Sequence, residues 1–166
     1  MAWAVVTGAG SGLGAAIARH AAKAGYRVAV WDLDGDAAEA VASGIGEGAV
    51  AHQVDVTSGE SLDAAFAALP EAPSLLVNNA GIVRFGPLLE LPEADWRSVV
   101  DVNLTGTFLT SRVAAALMIA AGGGVIVNIS SVNGISAAPN AGAYTSTKGA
   151  INTLTEQMAL EWGPRG

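Results

Sequence analysis

Short runs rich in β-branched residues alternate with longer, alanine-rich amphipathic runs along the whole chain. That alternation predicts strand and helix units wound around a parallel sheet. Strands are expected over 4–7, Arg27–Asp32, 49–55, 74–78 and 124–129. The runs "SLLVN" and "GVIVNI" are apolar at consecutive positions, which predicts strands covered by helices on both faces. A first helix is expected over 12–24, stopped by Gly25. A second, 36–43, opens at the capping box "DAAE" (Asp36, Glu39), and a third, 57–69, at "TSGE" (Thr57, Glu60). Longer helical patterns cover 92–120 and 143–162, and there is no internal repeat, linker or low-complexity tail.

At 166 residues and 51% hydrophobic composition, the chain carries enough apolar material for one folded domain, 1–166. Its 15 Asp and Glu against 8 Lys and Arg give a formal net charge of -7, which repels nucleic-acid backbones and anionic membrane surfaces. Neither is expected as a partner. The absence of cysteine excludes disulfides, thiolate catalysis and thiolate metal sites. His20 and His52 are too few and too scattered to make a metal site, and none is expected. Met1 runs almost directly into "AWAVV" with no basic leader or cleavage-site pattern, so a cytoplasmic location is expected.

Charge then marks one place on the chain. Between Arg112 and Lys148, 35 consecutive residues contain no Asp, Glu, Lys or Arg. "GGG" at 122–124, Asn128, Ser130, Ser131, Asn133 and Pro139 break this region, so no apolar stretch of about 20 residues, the length of a membrane span, survives in it. Lys148, the first charge to return, follows Tyr144 by four residues in "YTSTK". Residues so spaced share a helix face, where an ammonium favours the ionised form of a phenol and suits it to proton transfer.

A second candidate lies in "VVTGAGSGLGAAIA", where the first strand should turn into the first helix. Gly8, Gly12 and Gly14 permit a tight turn, close approach of backbone N–H groups to a diphosphate, and close packing of helix on strand. The second strand ends on Asp32, 18 residues after Gly14, where a carboxylate can accept hydrogen bonds from both adenosine ribose hydroxyls. A 2′-phosphate would be repelled there, and no Lys or Arg sits beside Asp32 or in the glycine loop, so NAD is expected over NADP. Asp55, in "VDVT", either faces the adenine edge or is a loop polar residue before the Thr57 cap.

Together these segments resemble the short-chain dehydrogenase/reductase family. The resemblance rests on "TGAGSGLG" (7–14), Asp32, "DVT" (55–57), "NNAG" (78–81), Asn103 in "DVNLTG", Ser131 in "NISS" and "YTSTK" (144–148), in the family's order from end to end. It implies a Rossmann-type, doubly wound α/β fold with sheet order 3-2-1-4-5 and helices on both faces. It further implies an oxidoreductase that moves a hydride between NAD(H) and a secondary alcohol or ketone. In that reading Tyr144 is the general acid and base, Ser131 hydrogen-bonds the substrate oxygen, and Lys148 also binds the nicotinamide ribose. Asn103 holds a water that links the proton relay to solvent. The coenzyme would meet Gly8, Ser11, Gly12, Leu13, Gly14, Asp32, Leu33, Asp55, Val56, Asn79, Ala80, Gly81, Tyr144 and Lys148. Ser130 is a neighbouring rival to Ser131, but only Ser131 has the family spacing, 13 residues before Tyr144. Asn78 and Asn79 should organise the turn after the fourth strand, and Trp31, Trp96 and Trp162 should serve packing or interfaces.

Family members continue from a segment like "LEWGPRG" into a sixth strand, a mobile substrate lid and a final strand, whereas this sequence stops at Gly166. The edge beyond the fifth strand is therefore expected to be uncovered. The helices bearing Asn103 and Tyr144 are expected to pair between subunits, giving a homodimer or homotetramer. A competing reading is a non-catalytic NAD-binding or assembly module, or an inactive piece of a dehydrogenase.

Overall fold

The computed structural model describes residues 1–166. Five strands, β1 (Trp3–Thr7), β2 (Arg27–Asp32), β3 (Ala49–Gln53), β4 (Pro73–Asn78) and β5 (Val125–Asn128), form one sheet in the order β3-β2-β1-β4-β5. Every pairing is parallel. The helices are α1 (Gly12–Lys23), α2 (Gly35–Ile45), α3 (Gly59–Ala67), α4 (Glu93–Val100), α5 (Gly106–Ala120) and α6 (Gly142–Trp162). The order reverses between β1 and β4, and in such sheets ligands bind beyond the carboxyl ends of the strands at that reversal.

Alternation along β1 divides the core into two layers. Ala4 and Val6 join Val28, Val30 and Val77 beneath the alanine faces of α1 and α2. Trp3 and Val5 point the other way, into a layer closed by Leu62, Phe66, Ala114 and Met118 from α3 and α5. There the Trp31 and Phe66 rings meet edge to face at 4.7 Å, a contact worth about 1 kcal/mol beyond its buried area. Small alanines on one face and aromatics on the other set how closely each helix layer approaches the sheet.

Several boundaries differ from the sequence pattern. α2 is capped by Asp34, whose carboxylate accepts from the Ala37 N–H, rather than by Asp36. α3 is capped by Ser58, which accepts from the Ser61 N–H. Thr57 stands one residue before the cap position, and its N–H and hydroxyl both donate to Asp55 Oδ1. β3 ends at Gln53 rather than running to Asp55: the Val54 N–H makes the last bond to β2, at the Asp32 carbonyl, and the Asp55 N–H leaves the sheet for Ser61 Oγ. The continuous helix expected over 92–120 contains a five-residue π-helical segment, Asp101–Thr105, between α4 and α5. The run Glu93–Ala120 is the one helix long and apolar enough to cross a membrane by length and composition, and its α5 part packs Ala114 and Met118 into the core.

β5 is covered less fully than its sequence suggests. Val125 and Val127 are exposed, and an apolar groove of about 260 Å³ runs beside them, lined by Met118, Ile126, Met158 and Trp162 among others. With β4 as its only partner, β5 leaves one edge of the sheet free, as anticipated.

Candidate active site

The glycine loop is shaped by contacts that exclude a side chain. Gly8 adopts φ 61°, and a Cβ on it would stand 2.8 Å from the Ala80 Cα. A Cβ on Gly14 would stand 2.2 Å from the Gly8 carbonyl oxygen, so only glycine lets α1 pack this closely against the loop. Ser11 precedes α1 but makes no side-chain capping bond. The first-turn amides of α1 therefore lack the usual side-chain acceptor, which suits an anion.

β4 braces this loop. Thr7 Oγ1 accepts from the N–H groups of Asn79 and Ala80, both at 3.1 Å. Asn79 Nδ2 returns hydrogen bonds to the carbonyls of Thr7 and Gly8 at 3.0 and 2.9 Å. Asn78 points into the protein instead, donating to Ser111 Oγ and Asn128 Oδ1, both at 2.8 Å. It supports the ends of β4 and β5.

Asp32 is oriented by backbone donors: Oδ2 accepts from the Gly10 N–H at 2.8 Å and Oδ1 from the Asp34 N–H at 3.0 Å. Each oxygen retains a lone pair. Asp55 lines the cleft, and its Oδ1 holds the turn through the Thr57 N–H and hydroxyl. The cleft has a volume of about 380 Å³. Every residue expected to meet the coenzyme, apart from Tyr144 and Lys148, lines it. Val54, Ile82 and Val102 also line it, and the sequence pattern did not single them out. Their apolar character gave no signal of its own. The lining contains two carboxylates and no Lys or Arg.

At the far end of the cleft, a Cβ on Gly81 would stand 3.3 Å from Asn103 Oδ1 and 3.7 Å from Lys148 Nζ. Lys148 is 4% exposed and donates to the Ile129 carbonyl at 2.7 Å. Burial holds its pKa below the ordinary lysine value. Its Nζ lies 5.5 Å from the centroid of the Tyr144 ring. The loop after β5 presents two serines, and their hydroxyls differ. Ser130 Oγ donates to the Lys148 carbonyl, whereas Ser131 Oγ accepts from the Asn133 N–H and keeps its own proton available.

Asn103 sits fully buried in the π-helical segment. Its Oδ1 accepts from the Ile82 N–H at 2.8 Å, and Nδ2 donates to the Ile82 carbonyl and to Thr147 Oγ1. Its backbone carbonyl accepts from the Thr107 hydroxyl at 2.7 Å. With both amide protons engaged, a water held by Asn103 must bind a remaining oxygen lone pair.

A family model described as short chain dehydrogenase matches residues 2–166. Over 170 residues the chain is 42% identical to "Galactitol 2-dehydrogenase (L-tagatose-forming)" of Cereibacter sphaeroides, covering 99% of this chain and 67% of that protein. It is 41% identical over 153 residues to "Inactive 2-(S)-hydroxypropyl-CoM dehydrogenase 2" of Xanthobacter autotrophicus, covering 90% of this chain and 66% of that protein. A crystal structure from Agrobacterium tumefaciens, provisionally described as a gluconate dehydrogenase, superposes with a TM-score of 0.95 at 41% identity, covering 99% of this chain and 68% of that one. The chain thus spans about two thirds of the length of these relatives.

Proposed function

Because the chain belongs to the short chain dehydrogenase family, we propose that residues 1–166 form a single coenzyme-binding domain of an oxidoreductase that interconverts a secondary alcohol and a ketone. The observation that carries this reading is the placement of Gly81, which lines the nucleotide cleft and lies against both Asn103 and Lys148. A ligand filling the cleft toward Gly81 therefore reaches the neighbourhood of the proton-transfer helix.

NAD is the proposed coenzyme. The uncapped start of α1 suits the diphosphate, and Asp32 is already turned by Gly10 and Asp34 to accept from ribose hydroxyls. A lining with two carboxylates and no cation disfavours a 2′-phosphate. Bound there, NAD supplies the hydride acceptor and NADH the donor.

Tyr144 takes the hydroxyl proton as an alcohol is oxidised and returns a proton to the oxygen as a ketone is reduced. Lys148 holds its Nζ 5.5 Å from the centroid of the Tyr144 ring, fixed by the Ile129 carbonyl, so that a cation faces the proton-transfer residue. Ser131 donates its free hydroxyl proton to the substrate oxygen, holding the reacting carbon in place. Asn103 fixes the position of the Ile82 backbone. The protein is proposed to act in the cytoplasm on a small-molecule alcohol or ketone. It is further proposed to pair with a second copy through the helices bearing Asn103 and Tyr144, where Trp96, Phe108 and Leu160 are exposed.

Titration of the 166-residue chain with NADH and NADPH, followed by tryptophan-to-nicotinamide energy transfer, tests the coenzyme reading. Saturable binding that prefers NADH is expected, and no binding by a folded chain would overturn it. A second reading, a non-catalytic NAD-binding module, is favoured by one observation: a relative at 41% identity carries the word inactive in its name. Turnover lost on Tyr144→Phe supports the enzyme. NADH binding without turnover across a broad alcohol and ketone panel supports the module.

A further inference from the structure

Thr147 lies inside "YTSTK" between the two residues of the proton-transfer pair, yet neither the sequence pattern nor the proposed chemistry gives it a task. It is 2% exposed. Its Oγ1 donates to the Tyr144 carbonyl at 2.8 Å and accepts from Asn103 Nδ2 at 3.1 Å. The same Asn103 amide grips the Ile82 backbone at both its N–H and its carbonyl. A continuous hydrogen-bonded line therefore runs from Ile82, in the wall of the nucleotide cleft, through the π-helical segment to the first turn of α6.

Each member of this line has a fixed direction. Asn103 Nδ2 carries two protons, one on Ile82 and one on Thr147. The Thr147 hydroxyl has one proton, engaged by Tyr144, so only its lone pair can face Asn103. With Asn103 fully buried, losing that acceptor leaves an amide proton without a partner, and rotating the amide to find another would break the grip on Ile82.

We propose that Thr147 is a positioning residue. It couples the turn bearing Tyr144 to the cleft wall at Ile82 through Asn103, so that the phenol and the coenzyme are held in one register. This inference rests on the dehydrogenase reading for its kinetic consequence, but the linkage itself is testable without any substrate.

The experiment compares the wild-type chain with Thr147→Val, which keeps the shape and removes the hydroxyl, Thr147→Ala, and Thr147→Ser, which restores the hydroxyl. Amide hydrogen exchange is read at Ile82, which has no direct bond to Thr147. Exchange at Ile82 should quicken about tenfold or more in the Val and Ala variants and return toward wild type in Ser. Unchanged exchange at Ile82 in whichever of Val or Ala folds, or no recovery in Ser, overturns the proposal.

The second readout is turnover of galactitol with NAD. In Thr147→Val, kcat should fall about 10- to 100-fold, as for a misplaced reacting group. KM for NAD should stay within about threefold, the solvent deuterium isotope effect should rise, and Ser should recover kcat. Equal loss in kcat and coenzyme affinity would indicate general loosening and overturn the positioning role. A wild-type chain that turns over neither galactitol nor any other alcohol tested would instead count against the dehydrogenase reading, with the exchange result still deciding the linkage.

Discussion

Lys148 Nζ lies 5.5 Å from the centroid of the Tyr144 ring while donating to the Ile129 carbonyl at 2.7 Å. The Ile129 carbonyl fixes the cation between the end of β5 and α6, so the charge does not wander with its flexible stem. Replacing Lys148 by Met keeps most of the buried volume and removes the charge. Turnover should fall about 10²- to 10⁴-fold, the range associated with loss of acid-base assistance, while the far-UV spectrum stays native. Turnover within tenfold of wild type would remove Lys148 from the proton-transfer role.

Burial also makes Lys148 a reporter of stability against pH. Its pKa in the folded chain is lowered from 10.5 by desolvation. Between the lowered value and 10.5 the unfolded chain holds a proton that the folded chain has released, so stability rises with pH across that window. At lower pH both states carry the proton and the burial cost is constant. Urea midpoints of the wild type and Lys148→Met, measured from neutral pH to pH 10, should show the wild type gaining on the variant as pH rises. A constant difference would contradict the burial cost.

Asp32 is held at both oxygens by backbone N–H groups, so its substitution disturbs the glycine loop as well as the proposed ribose contact. Asp32→Ala should weaken NADH binding by at least about 10- to 100-fold, since losing even one hydrogen bond to a charged group costs about 1.5–3 kcal/mol. Asp32→Asn removes the charge and keeps an acceptor. It should raise NADPH affinity relative to NADH by about tenfold, and an unchanged ratio in the titration would mean that Asp32 does not exclude the 2′-phosphate.

What was legible in the sequence depended on whether one residue type answered one physical demand. The parallel sheet was readable because β-branched runs have few other uses, and its observed order is the one the resemblance implies. The cleft residues were readable where glycines and carboxylates carried the signal. Ile82 was not, because its part is played by a backbone N–H and carbonyl that any residue supplies. The caps failed for a different reason. Asp36 and Thr57 each stand three residues before a glutamate, but Asp34 and Ser58 are equally good caps nearby, and which acceptor meets the first-turn N–H groups depends on where the preceding strand ends. The π-helical segment around Asn103 likewise follows from tertiary bonds to Ile82 and Thr147, although asparagine in the middle of a helical pattern was a sign that something held it.

Gly14 and Gly12 separate packing from ligand access. Gly14→Ala places a methyl 2.2 Å from the Gly8 carbonyl oxygen and 2.5 Å from Asn79 Nδ2, so the loop must move. The cost should be about 1–3 kcal/mol in urea unfolding, together with loss of NADH binding. Gly12→Ala meets nothing within 4 Å, and its strain comes only from φ 52°. It should cost about 1–2 kcal/mol, yet still reduce NADH affinity by tenfold or more, because the methyl stands where the cleft lining approaches a ligand. Full NADH affinity in folded Gly12→Ala would place the diphosphate elsewhere.

Thr7 ends β1 with 1% exposure, and its single oxygen serves two backbone donors, Asn79 and Ala80, across the sheet. Valine matches its shape and cannot accept either bond. Each N–H left without a partner costs about 1–3 kcal/mol, so Thr7→Val should lower the urea midpoint clearly, whereas Thr7→Ser, which keeps the oxygen, should lose about 1 kcal/mol from the missing methyl. The effect should extend to the coenzyme. Asn79 holds the Gly8 carbonyl only while its own backbone is placed by Thr7, so NADH affinity should fall in the valine variant and return in serine. A valine variant that is destabilised but binds NADH at full strength would show that the glycine loop holds its shape without this brace.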